Sequence, residues 1–371
     1  MPAHLSRCLV FALLAAHAHA AEILVPGDFA DPQAAVDAAN PGDVVRIAGG
    51  TWGPLVVDKE LSILADPAAT FVGQPGAIGV TAQPAIRLAG PGAGSLVLSN
   101  LVTAGQTGVF DLDVEPGILG GGFDELYVLD STIRATEWFF FDGFAPGEPG
   151  IDVQVDLLVV EGSDVRGGFS ADNFCCGITS GPDGPAGIRA SDAVLLLDAV
   201  VQGGSAGPYR GFSCGSGGEG GPGVEADSLF SAGSAITGGA GADWIEVGSY
   251  SLLCTKPDGP ATLVTTEAAL GDELQLAGDF ALGDSITLSW SAPALQVALF
   301  FGFGVGTPSF LPGAGWLFLD PAGATFLLAL PSPGGVVLPV PAIPSLAGQV
   351  IAIQAAGGTG ELTRPVVGVL Q

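Results

Sequence analysis

The chain has 371 residues, with 38 Asp and Glu against 10 Lys and Arg, and its formal net charge at pH 7 is −28. Such an acidic chain repels nucleic acid and anionic lipid, because binding to phosphates needs clustered Lys and Arg. Glycine (59 residues) and proline (28 residues) are abundant, yet 48% of the residues are hydrophobic. This is too hydrophobic for disorder and predicts turn-rich β structure.

The first 20 residues predict a Sec signal peptide. Arg7 supplies the positive charge, Leu9 to Ala16 the apolar stretch and Ala18-His19-Ala20 the small-x-small cleavage site. We therefore expect a protein secreted by a bacterium, extracellular or at the cell surface. Cleavage would remove every histidine, which excludes Ser-His-Asp catalysis, Cys-His catalysis and His-ligated zinc. No later segment offers about 18 uninterrupted apolar residues, so we expect no membrane span.

The next stretch predicts a short helix that leads into a strand. Asp31 can cap the helix, Pro32 fits its first position, Val36 is its apolar residue and Asn40-Pro41-Gly42 ends it. Val44 to Ile47 then predicts a strand. The end of a stack of strands is an open edge that needs protection. We expect this helix to cover the N-terminal end of the fold that follows.

Five later segments share one pattern, in which a short apolar strand ends on a β-branched anchor residue. The anchors are Val102, Ile133, Val165, Val201 and Ile236. They lie 31, 32, 36 and 35 residues apart, and a small residue stands two positions before each. A near-constant period with loops of variable length is typical of a solenoid. Each unit holds about two short strands and a glycine-rich loop, which predicts a coil of parallel strands about 4.8 Å apart.

The N-terminal elements resemble those of right-handed parallel β-helix proteins, the pectin-lyase-like superfamily. The resemblance rests on the helix from Ala34 to Ala39, the turn Pro41-Gly42-Asp43, the strand from Val44 to Ile47 and the step Gly50-Thr51-Trp52. It covers about residues 23–262 and implies an all-β fold. We expect a right-handed parallel β-helix over residues 21–262 with a short N-terminal capping helix. The resemblance implies no single activity, because that fold hosts lyases, hydrolases, binding proteins and inert stalks.

An aspartate stands nine residues before each of the last four anchors. These residues are Asp124, Asp156, Asp192 and Asp227. In a coil they would stack at the spacing of the strands, where like charges repel. Each side chain could accept hydrogen bonds from backbone N–H groups of its turn. Alternatively the four could share Ca²⁺, the one cofactor that the sequence suggests, or have raised carboxylate pKa values.

A second acidic feature is Asp111, Asp113 and Glu115, which alternation places on one face of a strand. A solvated outer face explains it most simply. By the resemblance, pectate-lyase-like enzymes bind Ca²⁺ and acidic sugar on such a face and use Arg or Lys as the base. Arg134 and Arg166 each follow an anchor by one residue, so they are predicted to stack and complete a candidate catalytic set. The scarcity of basic residues and the strong negative charge argue against this activity.

The loops carry two further features. Trp138 and Phe140, within an aromatic segment of one loop, could stack on sugar rings or pack on the flank of the coil. Four cysteines occur in loops that leave the same corner of successive repeats. They are Cys175, Cys176, Cys214 and Cys254. An even number of cysteines behind a signal peptide predicts two disulfides, with three pairings open, one of them vicinal.

The region 265–371 has a different composition. It contains no cysteine and only one basic residue, Arg364. Gly271-Asp272 and Gly283-Asp284 open predicted strands, and a small β-sandwich is expected. It resembles C-terminal modules found on many secreted proteins of environmental bacteria. It could serve as a structural cap or spacer, or for surface attachment.

These features predict a secreted, monomeric, non-catalytic β-helix protein. Its Gly-rich loops would bind carbohydrate or a cell-surface partner. We expect no binding to nucleic acid. The alternative is a polysaccharide-active enzyme, a pectate-lyase-like lyase or a glycosidase. It would act on the outer face of the β-helix, around Asp111, Asp113, Glu115, Arg134 and Arg166.

Overall fold

A computed structural model of the protein describes residues 20–74, 82–104, 115–135, 147–170, 183–207, 209–211, 218–242, 244–246, 258–270, 274–290, 296–312, 314–319, 324–331, 334–357 and 362–371. Within these residues the chain forms one α-helix, one 3-10 turn (Pro344–Leu346) and 28 β-strands. The predicted all-β fold is thereby confirmed. The only described helix is far too short to cross a bilayer.

The strands up to residue 269 pair in parallel and wind into a coil with three faces. The first face contains β1 (Glu22–Val25), β2 (Val44–Ile47), β5 (Ser62–Val72), β7 (Ser95–Ala104), β8 (Ile118–Leu129), β10 (Ile151–Glu161), β13 (Ala193–Leu197), β16 (Val224–Ala232) and β19 (Thr262–Ala269). The second face joins the ends of β5 and β7 to β3 (Gly50–Trp52), β9 (Thr132–Arg134), β11 (Asp164–Arg166), β14 (Val200–Gln202) and β17 (Ala235–Thr237). The third face joins β4 (Leu55–Val57), β6 (Ile86–Ala89) and β12 (Ile188–Ala190) to the beginnings of β8, β10, β16 and β19. One turn of the coil, here called a rung, passes the third, first and second faces in that order.

Inward side chains form aliphatic files, because parallel pairing places equal positions of successive rungs next to each other. The file of the third face consists of Leu55, Ile86, Ile118, Ile151, Ile188 and Val224, all buried. A proline precedes each of the last five by two or three residues. The sequence analysis missed this second repeat, although Pro-Gly-Ile recurs at 116–118 and 149–151.

Four of the five predicted anchors form one inward file on the second face. Ile133 pairs with Val165, Val165 with Val201, and Val201 with Ile236. The prediction for Val102 was wrong, because Val102 pairs with Thr132 and lies one position out of this register. Its neighbours in the chain, Leu101 and Thr103, are the buried residues.

The register is set at the corner between the first and second faces, where five rungs bend at a left-handed residue. These residues are Asn100 (φ 58°), Asp130 (φ 49°), Gly162 (φ 58°), Asp198 (φ 50°) and Gly233 (φ 63°). Asn, Asp and Gly are the residues that adopt this conformation most readily. Each lies three residues before the inward position of the second face, which for Asn100 is Thr103. Counting from the corner therefore gives the correct register, and counting from the nearest β-branched residue does not.

The small residue after the corner also has a role. Ser131 Oγ accepts the N–H of Leu101 at 3.0 Å, and Ser163 Oγ accepts the N–H of Ser131 at 2.9 Å. Ser234 Oγ accepts the N–H of Ala199 at 3.0 Å in the same way. These hydroxyls satisfy buried backbone donors where the strand pairing is interrupted.

The predicted capping helix is confirmed as α1 (Pro32–Ala38). Asp31 Oδ1 accepts the N–H of Ala34 at 2.9 Å, and Val36 is fully buried in the core of the coil. At the other end, Lys59 Nζ donates to the carbonyls of Val36, Asp37 and Ala39, where a cation is favourable. The sequence analysis did not predict β1, which precedes the helix and pairs with β2.

The C-terminal module, residues 274–371, contains two antiparallel sheets. One consists of β20 (Leu274–Ala277), β21 (Ser285–Trp290) and β26 (Gly334–Pro339). The other has the order β25 (Thr325–Pro331), β22 (Gln296–Phe303), β27 (Val350–Gly357) and β28 (Val366–Val369). A short antiparallel pair, β23 (Ser309–Leu311) with β24 (Gly315–Leu317), also belongs to the module. The remaining described strands, β15 (Tyr209–Gly211) and β18 (Trp244–Glu246), lie in two insertions of the coil and pair in parallel. Leu288 of the first sheet and Leu299 and Ile353 of the second share one core, as the predicted sandwich requires.

The module packs on the outer side of the first face. The outward file there consists of Val97, Tyr127, Val159, Leu195 and Phe230, all buried. These side chains form one apolar cluster with module residues that include Val305, Phe318 and Val367. The ring of Phe230 meets Trp316 edge to face at 4.6 Å between centroids. The first face is therefore buried on both sides, which explains the uninterrupted apolar runs in its strands.

Candidate functional site

The long insertions all leave the coil at one corner, between the second and third faces. They follow β5, β7, β9, β11, β14 and β17 and return to the third face. Their central parts lie outside the described residues. The predicted residues that fall there are Asp111, Asp113, Trp138, Phe140, Cys175, Cys176, Cys214 and Cys254. The predictions of sugar stacking and of two disulfides therefore stay predictions.

The described roots of successive insertions interlock through their backbones. Gly204 N–H donates to Pro185 O at 2.7 Å, Gly221 N–H to Gly204 O at 3.0 Å, Gly239 N–H to Gly221 O at 2.7 Å and Gly259 N–H to Gly239 O at 2.9 Å. We call Pro185, Gly204, Gly221, Gly239 and Gly259 the glycine ladder. In the glycine ladder, segments that leave the coil (Gly204, Gly239) alternate with segments that return to it. Each insertion is therefore hydrogen-bonded to the next.

The glycine positions of this ladder have no room for a side chain. A Cβ atom added to Gly221 would lie 1.8 Å from Pro185 O, and one added to Gly239 would lie 1.8 Å from Gly204 O. The backbones approach so closely that the carbonyl of one rung occupies the place of a side chain in the next. This accounts for the Gly-Gly pairs at 203–204 and 238–239, which follow the anchors Val201 and Ile236. The ladder fixes the roots of neighbouring insertions along a single edge of the coil.

A charged cluster lies on the outer side of the third face, next to this edge. Asp152, Arg189 and Glu225 are stacked in register on successive rungs. Arg189 Nη1 lies 3.4 Å from Asp152 Oδ2, and its Nε lies 3.0 Å from Glu225 Oε2. With Glu115 and Glu148, which stand at the returning roots of two insertions, these residues form what we call the third-face cluster.

Glu148 is the member of this cluster with distinctive proton chemistry. Burial raises the pKa of Glu148 to about 7, the charges of Asp152 and Glu115 raise it too, and Arg189 opposes the rise. A carboxyl that retains its proton near neutral pH can donate a hydrogen bond or a proton. The sequence analysis named Glu115 but missed Glu148. The identical Glu-Pro-Gly-Ile at 115–118 and 148–151 is the signal that could have found it.

Arg134 and Arg166 stack on the second face as predicted, being paired residues of β9 and β11. Both bind Asp164, which the sequence analysis missed. Arg166 Nε and Nη2 each lie 2.9 Å from an oxygen of Asp164, and Arg134 Nη2 lies 3.6 Å from Oδ2. The hydrogen bond from Arg166 to Asp164 raises the pKa of Arg166. Because a base must first lose its proton, this contact works against Arg166 serving as one.

The aspartates nine residues before the anchors, Asp124, Asp156, Asp192 and Asp227, occupy equivalent positions on successive rungs, as the register of their neighbours shows. Asp124 Oδ2 accepts the N–H of Gly94 at 3.0 Å, a backbone group of the preceding rung and not of its own turn. The turn explanation therefore stays a prediction. In the described part of the chain, no group of three or more His, Cys, Asp or Glu side chains could hold a metal ion. The Ca²⁺ role of these aspartates stays a prediction. A thermal melt in EGTA checks it, since structural Ca²⁺ would lower the melting temperature on removal.

No protein-family model and no curated protein matches this chain. The fold is accordingly described by its architecture, a parallel β-solenoid followed by an antiparallel module.

Proposed function

We propose that the protein is a secreted, non-catalytic β-helix protein whose inserted loops bind carbohydrate or another cell-surface component. We further propose that its coil belongs to the pectin-lyase-like superfamily. The glycine ladder is the observation that carries the functional proposal. It holds the roots of successive loops side by side, and a binding surface made of loops needs such a rigid support. The loop corner lies between the second and third faces, whereas the described apolar contacts of the module are with the first face.

Four of the described cations support binding over lyase chemistry. Arg134 and Arg166 share Asp164, and Arg189 lies between Asp152 and Glu225. Lys59 binds the end of α1. These cationic side chains therefore bind groups of the chain itself, whereas a lyase that acts on polyuronate needs cations that can bind its anionic substrate.

The C-terminal module fits a structural role best. Its contact residues cover an apolar face of the coil that would otherwise be exposed to water. Surface attachment remains the alternative, in which other surfaces of the module would face the cell.

A glycan array probed with residues 21–371 tests the proposal. We expect retention on a subset of glycans, lost in the double variant Trp138→Ala, Phe140→Ala. The matched control is Phe310→Ala, which removes an exposed aromatic of the module (58% exposed) and should leave binding unchanged. Absence of binding to every glycan and to intact bacterial cells would contradict the proposal.

Glu148 favours a second candidate, a glycosidase that works at the third-face cluster. Such enzymes pair a protonated acid of raised pKa with a second carboxylate, and Glu148 has Asp152 and Glu115 as acidic neighbours. The check is a reducing-sugar assay over a polysaccharide panel, with and without Ca²⁺. An enzyme would lose turnover in Glu148→Gln, whereas a lyase at the predicted outer face would lose it in Asp113→Ala. No turnover on any substrate leaves the binding proposal in place.

A further inference from the structure

Glu161 is a charged residue within a largely apolar stretch of the outer side of the first face. Glu161 pairs with Leu129 on one neighbouring rung and with Leu197 on the other, and both leucines are buried. An outward residue at this position faces the C-terminal module. Glu161 therefore occupies a place where its neighbouring rungs supply an apolar side chain.

Acidic residues flank Glu161 on both sides. Asp130 and Asp198 are the left-handed corner residues of the two neighbouring rungs, and Glu161 directly precedes the corner residue between them, Gly162. The carboxylate of Asp130 leans over this glycine, since a Cβ added to Gly162 would lie 2.6 Å from Asp130 Oδ1. The three carboxyl groups thus follow one another along the edge of the coil.

The described part of the module contributes one cation and one further acid to this group. Arg364, which is 8% exposed, lies with Nη1 3.1 Å from both carboxylate oxygens of Asp198. Its Nε donates to the carbonyl of Leu274 at 3.0 Å, which fixes the guanidinium within the module. Asp279 of the module acts on Asp130. Arg364 thus binds Asp198 and acts on Glu161, and the acids of this group outnumber it.

We propose that Glu161 is a proton-controlled latch, which holds the module against the coil when protonated and loosens the contact when ionised. In the docked state, an ionised Glu161 adds a negative charge between Asp130 and Asp198 and next to buried leucines. Undocking would expose this outward side chain to water. A proton on Glu161 is therefore favoured by docking, and docking is favoured by the proton.

The direction of the pH dependence follows from linkage. Burial, with the charges of Asp130 and Asp198, raises the pKa of Glu161 to about 8, while Arg364 opposes the rise. In the undocked state the pKa should return towards its ordinary value of 4.5. The docked state then binds more protons than the undocked state between these values. Docking is strongest at low pH and weakens as the pH rises, until it levels off above about pH 8.

Hydrogen exchange at two module amides measures this effect. The N–H of Val305 donates to Tyr127 Oη of the coil at 2.7 Å, so its exchange reports undocking. The N–H of Phe318 donates to Gln354 Oε1 within the module and reports whether the module stays folded. After correction for the intrinsic exchange rate, the protection of Val305 should fall by about tenfold per pH unit between pH 5.5 and 7.5. The protection of Phe318 should fall much less.

The variant Glu161→Gln keeps the size of the side chain and removes its titration. We expect a much shallower pH dependence at Val305, with protection at pH 8 above that of the unmodified protein. Glu225→Gln, an exposed carboxylate of the third face, is the matched control and should retain the full dependence. Two results would overturn the latch: protection of Val305 that does not change with pH, or a dependence as steep in Glu161→Gln as in the unmodified protein.

Discussion

The first and third faces of the coil both turn apolar side chains inward, but the first face is apolar on its outer side and the third is charged. Inward files of Leu, Ile and Val run behind both. Outward, the first face presents Tyr127, Val159 and Leu195 to the module, whereas the third presents Asp152, Arg189 and Glu225 to water. The interior therefore determines how the chain winds, and the exterior determines what each face contacts.

The contrast is also visible in single strands. On the first face β13 reads Ala-Val-Leu-Leu-Leu and is buried at every position. On the third face β12 reads Ile-Arg-Ala and alternates between buried and exposed. Uninterrupted apolar runs are typical of sheets covered on both sides, and alternation is typical of sheets with one wet side. Strands of the same coil can thus be assigned to covered or open faces from their pattern.

The largest expected effect comes from making the first face resemble the third. Leu195→Asp places an unpaired carboxylate in a fully buried position against the module. We expect a loss of about 3–5 kcal/mol in the free energy of unfolding, measured by denaturant titration, because a buried charge without a partner is not compensated. The protection of the Val305 amide should fall at the same time.

The third face offers a matched control with the same change of residue. Leu263 points outward there and is 52% exposed. Leu263→Asp should change the free energy of unfolding by no more than about 0.5 kcal/mol, as is usual for surface substitutions. Equal losses in the two variants would show that the exteriors of the two faces do not differ in the way described.

An intermediate effect is expected at the edge that borders the third face. Gly221→Ala forces a Cβ to within 1.8 Å of Pro185 O, so the backbones of the glycine ladder must separate. We expect a loss of about 1–3 kcal/mol, the usual cost of overpacking, read as a lower melting temperature. Gly53→Ala is the control, because a Cβ there meets nothing within 4 Å. If both variants melt at the same temperature, the ladder does not constrain the loops.

Sequence patterns predicted the features that repeat along the coil. They missed the contacts between segments that are far apart in the chain. The period, the Asp31 cap and the stacking of Arg134 on Arg166 depend on local spacing, and the structure confirms them. The corner register failed at Val102, since a β-branched residue resembles an anchor whether it points in or out. The contact between module and coil depends on residues such as Tyr127 and Val305, 178 positions apart.

The same distinction between local patterns and contacts formed by folding applies to the residues of the candidate site. Asp164, which binds both arginines, could have been found from its alternation with Arg166 within one strand. The raised pKa of Glu148 could not, because it depends on burial and on Asp152 and Glu115. Such effects arise only when rungs stack, and a linear pattern contains no measure of burial.

The smallest expected effect comes from removing a charge on the third face. Arg189 is 45% exposed, so Arg189→Ala should change the free energy of unfolding by about 0.2–1 kcal/mol, as for other exposed ion pairs. The pKa of Glu148 is the more sensitive measurement. Since Arg189 lowers the pKa of Glu148, its removal should raise that pKa above the value of about 7. A carboxyl-carbon NMR titration measures this directly.

The control for this charge removal is Arg87→Ala, which deletes an exposed cation from the same outward file, three rungs from Arg189 and two rungs from the strand that follows Glu148. It should leave the titration of Glu148 unchanged, because charges in water are screened over such a separation. If both variants shift the pKa of Glu148 equally, net charge controls it and the third-face cluster does not act as a unit. A shift confined to Arg189→Ala means that the exterior of the third face forms a local electrostatic site, in contrast to the apolar contact surface of the first.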